Sequence, residues 1–165
     1  MINSRLVRSF GAAAALALLG GCSESLESGI VQNPAPKVEA VLVVSDLAAA
    51  PGSSLVVSVK AVSTTGTIGS FTMRLNYDAS TLRFEGELPT TDNALRALNA
   101  TNGLLRFAGA NAKGFTDSQL ASYKFVVLKP NAARTLSLVI DEMHMLTRVD
   151  AKSSLTIAPT REASR

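Results

Sequence analysis

Residues 68–77 alternate apolar and polar side chains with a period of two, and this pattern constrains the fold more than any other feature. One side of the segment carries Gly69, Phe71, Met73, Leu75 and Tyr77, and the other carries Ser70, Thr72, Arg74 and Asn76. Such alternation is typical of a β-strand with one buried and one solvated face, as found in antiparallel sheets. The segment therefore predicts a sheet protein with Phe71 and Tyr77 in its core.

Shorter runs of the same kind recur from Val38 onward, separated by turn residues such as Pro51-Gly52 and Asn102-Gly103. They predict further strands over residues 38–44, 54–62, 82–86, 104–109, 120–128, 136–146 and 154–158. Residues 91–99 place Leu95 and Leu98 at helical spacing and predict one short helix. Because no long helices separate the strands, we expect an all-β, antiparallel, jelly-roll-like sandwich of about nine strands.

The first 21 residues predict a cleaved export signal. Arg5 and Arg8 precede an apolar stretch over residues 10–19, and Gly20-Gly21 precede Cys22. This order of charge, apolar run and small residues is that of a secretory signal peptide. The apolar stretch is shorter than the roughly 20 residues that a membrane-spanning helix needs.

Cys22 is the only cysteine in the chain, so no intrachain disulfide can form. Leu-Gly-Gly-Cys at residues 19–22 resembles the bacterial lipobox, which implies a lipid on Cys22 and cleavage before it. Ser23 then implies the outer membrane, if the cell has two membranes. The alternative is an incidental cysteine beside an ordinary signal peptide. We predict a lipidated, flexible tether over residues 22–37, a sandwich over 38–158 and a frayed tail over 159–165.

The charge of the chain argues against a nucleic-acid partner. The formal net charge is +3, and removal of Arg5 and Arg8 with the signal leaves fourteen basic against thirteen acidic residues, a net charge of +1. The remaining lysines and arginines are scattered singly, without the basic patch that nucleic-acid binding requires.

Three segments resemble the signature of cohesin domains. Residues 69–78 form an aromatic-alternating strand that ends in Tyr-Asp, and Leu82 opens the next strand. Residues 102–108 match an Asn-Gly turn and strand, and residues 120–127 match a strand of the form Leu-Ala-x-aromatic-x-Phe-x-Val. Ala79 departs from the family, which has proline there. The resemblance covers about residues 38–158 and implies a nine-stranded sandwich shared with related carbohydrate-binding modules.

Residues suited to catalysis or metal binding are sparse. His144 is the only histidine, and no Gly-x-Ser-x-Gly segment accompanies it. One histidine does not make a zinc site, and alternation places Asp141 and Glu142 on opposite faces, whereas Glu85 and Glu87 share one. The aspartates that remain as calcium ligands are scattered over several turns: Asp78, Asp117, Asp141 and Asp150. We predict no enzyme, no metal site and no cofactor, and the sequence leaves calcium binding open.

We therefore expect a binding module at the cell envelope. Its predicted binding face carries Thr72, Arg74, Asn76, Arg106, Ser122 and Lys124. The resemblance implies a protein partner, because in cohesins the corresponding sheet face receives a dockerin. A polysaccharide partner is the alternative, although the chain has no tryptophan and both tyrosines fall on core positions. The sequence also allows a structural subunit of an envelope assembly, or a solvated face that binds no ligand.

Overall fold

The computed structural model describes residues 37–164, which form nine β-strands and two short 3-10 turns. The strands are β1 (Val38–Val44), β2 (Ser54–Ser63), β3 (Ile68–Asn76), β4 (Leu82–Glu87), β5 (Leu95–Thr101), β6 (Leu104–Phe115), β7 (Gln119–Val127), β8 (Ser137–Met145) and β9 (Leu155–Glu162). The turns are Ala132–Thr135 and Lys152–Ser154. The predicted signal peptide, Cys22 and the tether up to residue 36 lie outside the described residues.

The strands form two sheets, which confirms the predicted all-β sandwich. The first sheet has five strands in the order β4-β7-β2-β1-β9, and the second has four in the order β5-β6-β3-β8. Neighbouring strands are antiparallel except β1 and β9, which run parallel at one edge of the five-stranded sheet. The sandwich is thus mixed at this edge rather than wholly antiparallel.

The alternation in β3 predicts its inner and outer faces correctly. Phe71, Met73 and Leu75 are almost fully buried, and Tyr77 just after the strand is only 8% exposed. The polar residues between them are partly exposed. β3 lies between β6 and β8, where its inner side chains contribute to a single core shared by both sheets.

Seven aromatic rings form a continuous series through the core. The four-stranded sheet and the turn after β3 contribute four of them, the five-stranded sheet contributes three, and neighbouring ring centroids lie 5.2 to 6.2 Å apart. The order is Phe115, Phe71, Phe107, Tyr123, Phe84, Phe125 and Tyr77. Most neighbours meet edge to face, the arrangement that the charge distribution of aromatic rings favours. These rings therefore join the two sheets.

The helix predicted over residues 91–99 is wrong, because this segment contributes strand β5. β5 pairs with β6 from Leu95 opposite Ala110 to Thr101 opposite Leu104. Leu98 packs against the core, whereas Leu95 is 80% exposed. The two leucines therefore lie on different sides of the strand. Pairing with β6 supplies the backbone hydrogen bonds that a short helix would otherwise have supplied.

Arg96 is the inward-facing charge of β5. Its Nη2 lies 2.8 Å from both carboxylate oxygens of Asp92, and its guanidinium also donates to the carbonyl of Leu120. The guanidinium carbon lies 5.7 Å from the ring centroid of Phe115, close enough for a cation–π contact. The Asp92 and Arg96 side chains are only 13% and 16% exposed. The pair thus connects the β4–β5 segment, β5 and β7.

The last strand extends past the predicted domain boundary at Ala158. β9 continues to Glu162, and the amide of Ala163 donates to the carbonyl of Val44. Pro159–Glu162 therefore belongs to the sheet rather than to the frayed tail that the sequence predicts, because β1 provides pairing partners along this stretch. Within residues 37–164, no helix has the length and apolar character to cross a membrane.

Gly109 provides a test of how the Phe71 ring packs against β6 in the core. A Cβ at this position would lie 2.5 Å from Cζ of Phe71, whereas a Cβ at Gly86 would meet nothing within 4 Å. We expect Gly109→Ala to destabilise the domain by about 1 to 3 kcal/mol, the usual cost of overpacking a core. Gly86→Ala is the matched control and should change stability by less than about 0.5 kcal/mol. Urea unfolding of both variants measures the difference, and equal stabilities would contradict the packing.

Asp92 provides a test of the buried ion pair. Burial alone would raise the pKa of its carboxyl, but hydrogen bonds from Arg96 and Thr90 together with the Arg96 charge lower the pKa below its usual value. Asp92 therefore stabilises the fold above the unfolded-state pKa of about 3.9, and this contribution is lost as the pH falls through the lower folded-state pKa. We expect Asp92→Asn to cost about 3 kcal/mol at neutral pH.

The destabilisation caused by Asp92→Asn should shrink in acid, where the wild-type carboxyl is itself protonated. Denaturant unfolding at a series of pH values measures this convergence. Asp117→Asn, in the exposed turn before β7, makes the same change of charge and should leave stability nearly unchanged. A constant difference between Asp92→Asn and wild type at all pH values would show that the ion pair is not responsible.

Candidate binding face

The structure divides the six predicted binding residues between two sheets. Four of them lie on the outer side of the four-stranded sheet: Thr72, Arg74, Asn76 and Arg106. The other two, Ser122 and Lys124, lie on β7 in the five-stranded sheet. The single face predicted from the sequence is therefore wrong, because alternation shows which side chains point outward but not which sheet a strand joins.

Ser122 and Lys124 already have partners in their own sheet. The Ser122 side chain is buried, and its hydroxyl lies 3.1 Å from that of Ser58 on β2. The Lys124 ammonium lies 3.7 Å from a carboxylate oxygen of Glu85 on β4. Neither residue adds to the surface formed by the other four.

The outer side of the four-stranded sheet, here called the four-strand face, is an open surface formed by all four strands. Strand pairing places residues in four rows across it, and the second row has small side chains at three of its four positions. The rows are Leu95, Ala110, Ser70 and His144; Ala97, Ala108, Thr72 and Glu142; Asn99, Arg106, Arg74 and Val139; and Thr101, Leu104, Asn76 and Ser137. The centre of the face therefore allows close approach by another molecule.

An ion pair fixes Arg74 on this face. Its Nε donates to Asp141 Oδ2 at 2.9 Å, and its Nη2 donates to Asp141 Oδ1 at 2.7 Å. The hydrogen bond from Arg74 holds the pKa of Asp141 below its usual value, and the same bond raises the pKa of Arg74. This two-point contact sets the direction of both side chains.

A β-bulge in β8 brings Asp141 to Arg74. Ile140 lies opposite Met73 and Glu142 lies opposite Thr72, so Asp141 is an extra residue on its strand. Asp141 and Glu142 both lie outside the core, whereas simple alternation predicts opposite faces. Sequence reasoning therefore missed Asp141 as a residue of this surface, because no pattern in the sequence marks the bulge.

Among residues 37–164, the residues weighed for catalysis and metal binding do not form a cluster, although His144 and Asp150 lie opposite each other in an isolated β-bridge. Asp78, Asp117 and Asp150 lie in separate turns, where each carboxylate accepts a hydrogen bond from a backbone amide two residues later. Glu85 pairs with Arg83 and Lys124. In residues 37–164, no three side chains of histidine, cysteine, aspartate or glutamate are placed to hold a metal ion.

The phenylalanine and tyrosine rings of the described residues pack in the core. All seven belong to the series between the sheets, and Tyr77 and Tyr123 are buried, as the sequence predicts. Phe115 is 6% exposed and packs on Phe71, so it closes one end of the sandwich. Among the described residues, the four-strand face thus has no phenylalanine or tyrosine ring on which a sugar could stack.

Comparison with known proteins gives one family match. The family model described as the cohesin domain matches residues 40–154. No curated protein matches the chain.

Several solved structures share the fold. The sixth cohesin of scaffoldin B from Acetivibrio cellulolyticus, solved in complex with a dockerin, is 17% identical with a TM-score of 0.53, covering 78% of this chain and 99% of that one. A type I cohesin from a Clostridium thermocellum cohesin–dockerin complex is 12% identical with a TM-score of 0.56, covering 76% and 99%. A non-cellulosomal cohesin from Archaeoglobus fulgidus is 19% identical with a TM-score of 0.50, covering 76% and 92%.

Proposed function

Since the chain belongs to the cohesin domain family, we propose that it is a non-catalytic module that binds a dockerin-type protein partner through the four-strand face. The main support is the composition of this face. Three of the four residues in its second row are small, namely Ala97, Ala108 and Thr72, and four of the polar residues predicted for binding lie on the face. An open surface with small residues at its centre and mostly polar residues around them suits contact with another folded protein.

Two of the similar structures support this partner class, because they are cohesins bound to dockerins. The rigid core supports it as well. The inner side chains of the same sheet, Phe71, Phe107 and Met73, are buried in the core, which supports a preformed outer surface.

A polysaccharide partner is less well supported. Sugar-binding platforms use exposed aromatic rings, because the C–H faces of sugars stack on them. The rings of residues 37–164 pack in the core instead, with the more exposed Phe84 still in contact with Tyr123 and Phe125.

Display at the cell envelope is the second part of the proposed function. The sequence of residues 19–22 supports a lipid on Cys22, and two or three acyl chains anchor a protein stably. A flexible tether of 15 residues has a root-mean-square span of roughly 20 Å, which would hold the domain clear of the lipid headgroups. The sandwich would then be free to meet its partner.

The docking proposal predicts that filling the centre of the four-strand face blocks binding. We expect Ala108→Gln to lower the affinity for a dockerin by about tenfold or more, because its longer side chain stands where the surfaces meet. Isothermal titration calorimetry against a panel of purified dockerin modules encoded in the source genome measures this.

The matched control for that experiment is Ala158→Gln on β9, which lies beside Val41 in the other sheet. It should leave the affinity unchanged, and both variants should unfold like the wild type. Equal binding by Ala108→Gln and wild type would exclude the four-strand face as the dockerin-binding surface. Failure of every dockerin to bind the wild type would exclude the partner class.

The anchoring proposal predicts that Cys22 carries lipid in the mature protein. Expressed in a bacterial host that processes lipoproteins, the wild-type chain should enter the detergent phase, with a mass that shows an acylated N-terminal cysteine. Cys22→Ser should enter the aqueous phase because no thiol accepts the lipid. An unmodified Cys22 in a correctly exported chain would contradict the anchor.

A further inference from the structure

We propose that Arg106 selects the partner by donating hydrogen bonds to an acidic side chain, so that the dockerin-type partner places a carboxylate over β6. This inference rests on the proposed function and adds the chemistry of the partner's contact residue. It follows from the charge pattern of the four-strand face.

Arg74 and Arg106 lie directly opposite each other on β3 and β6. Like charges at such positions repel, because opposed residues of neighbouring antiparallel strands have their side chains close together. The repulsion is relieved for only one of the two arginines. Arg74 is held at two points by Asp141, whereas the guanidinium of Arg106 forms no hydrogen bond or ion pair with another group of residues 37–164.

Arg106 is exposed and borders a shallow depression of about 330 Å³ that is also lined by Thr72, Arg74 and Asp141. Both carboxylate oxygens of Asp141 accept hydrogen bonds from Arg74, and within residues 37–164 neither accepts one from Arg106. Arg106 acts on Asp141 only through space, where its charge helps to lower the pKa of that carboxyl. The five N–H donors of the Arg106 guanidinium are thus available to bind an acceptor on a partner molecule.

The remaining charge on the face lies on the other side of Arg74. Glu142 is exposed on the edge strand β8, opposite Thr72 in the neighbouring row. With Arg74 and Asp141 neutralising each other, the four rows of the face present a positive charge at β6 and a negative charge at β8, and the charge of Lys152 also acts on Asp141. A partner with a carboxylate over Arg106 and no acid over Glu142 would bind in one orientation only.

Charge removal at Arg106 tests the inference, with the tightest-binding dockerin of the calorimetric panel as the probe. We expect Arg106→Gln to lower the affinity about 30-fold or more and to weaken its dependence on ionic strength. Arg83→Gln, which removes an exposed arginine from β4 in the other sheet, is the matched control and should bind within about twofold of wild type. Circular dichroism verifies that both variants are folded.

A double-mutant cycle then identifies the carboxylate. Each aspartate and glutamate of the dockerin is changed in turn to asparagine or glutamine and titrated against wild type and Arg106→Gln. Substitution of one acidic residue should lower the affinity of the dockerin for the wild-type domain but not for Arg106→Gln. The two losses of affinity should differ by about tenfold or more.

Three outcomes would overturn the inference. Wild-type affinity of Arg106→Gln would show that Arg106 makes no essential contact. Lost affinity without coupling to any dockerin carboxylate would show that the contact is not acidic. If no dockerin binds the wild-type domain, the proposed function fails and the inference fails with it, so the two failures are told apart by the wild-type titration.

Discussion

The structure depends on the aromatic series that joins the two sheets through the core. Neither sheet could stay folded alone, because each has an apolar side that must be covered by the other. Phe107 and Tyr123, whose centroids lie 5.2 Å apart, form one of the contacts that cross from sheet to sheet. Once this interior is fixed, the outer side chains of the same strands have defined positions, and the four-strand face is one result. Because the phenylalanine and tyrosine rings of the described residues pack in the interior, none of them lies on that face to contact a sugar.

The inside and outside of individual strands could be predicted from the sequence, whereas the association of strands could not. Alternation gave the bounds of β1 and the buried side of β3, because a period of two is a local property of the backbone. It could not show that β7 joins a different sheet from β3, and the predicted face therefore combined Lys124 with Arg74. Leu95 and Leu98 fit a helix as well as a strand, and only the pairing with β6 decides between them.

The bulged positions explain the rest of what the sequence did not reveal. Asp141 and Glu85 each occupy an extra position on an edge strand, opposite no partner residue, and each forms ion pairs with neighbouring strands. A bulge turns a side chain away from the direction that alternation assigns to it. The charge pattern around Arg74 and Arg106 could therefore be seen only with the strands in register. The family match gives the fold of the chain, and these local departures give the face its individual chemistry.

The edge strands have a further consequence for copies of this domain that stand close together. An unpaired strand edge is a template on which a second sheet can extend, and crowding raises that risk. Three of the four edges are interrupted by bulges: at Glu85 in β4, at Asp141 in β8 and beside Pro159 in β9. The fourth, β5, turns the charged Arg96 inward. These features reduce the tendency of neighbouring copies of the domain to pair edge to edge.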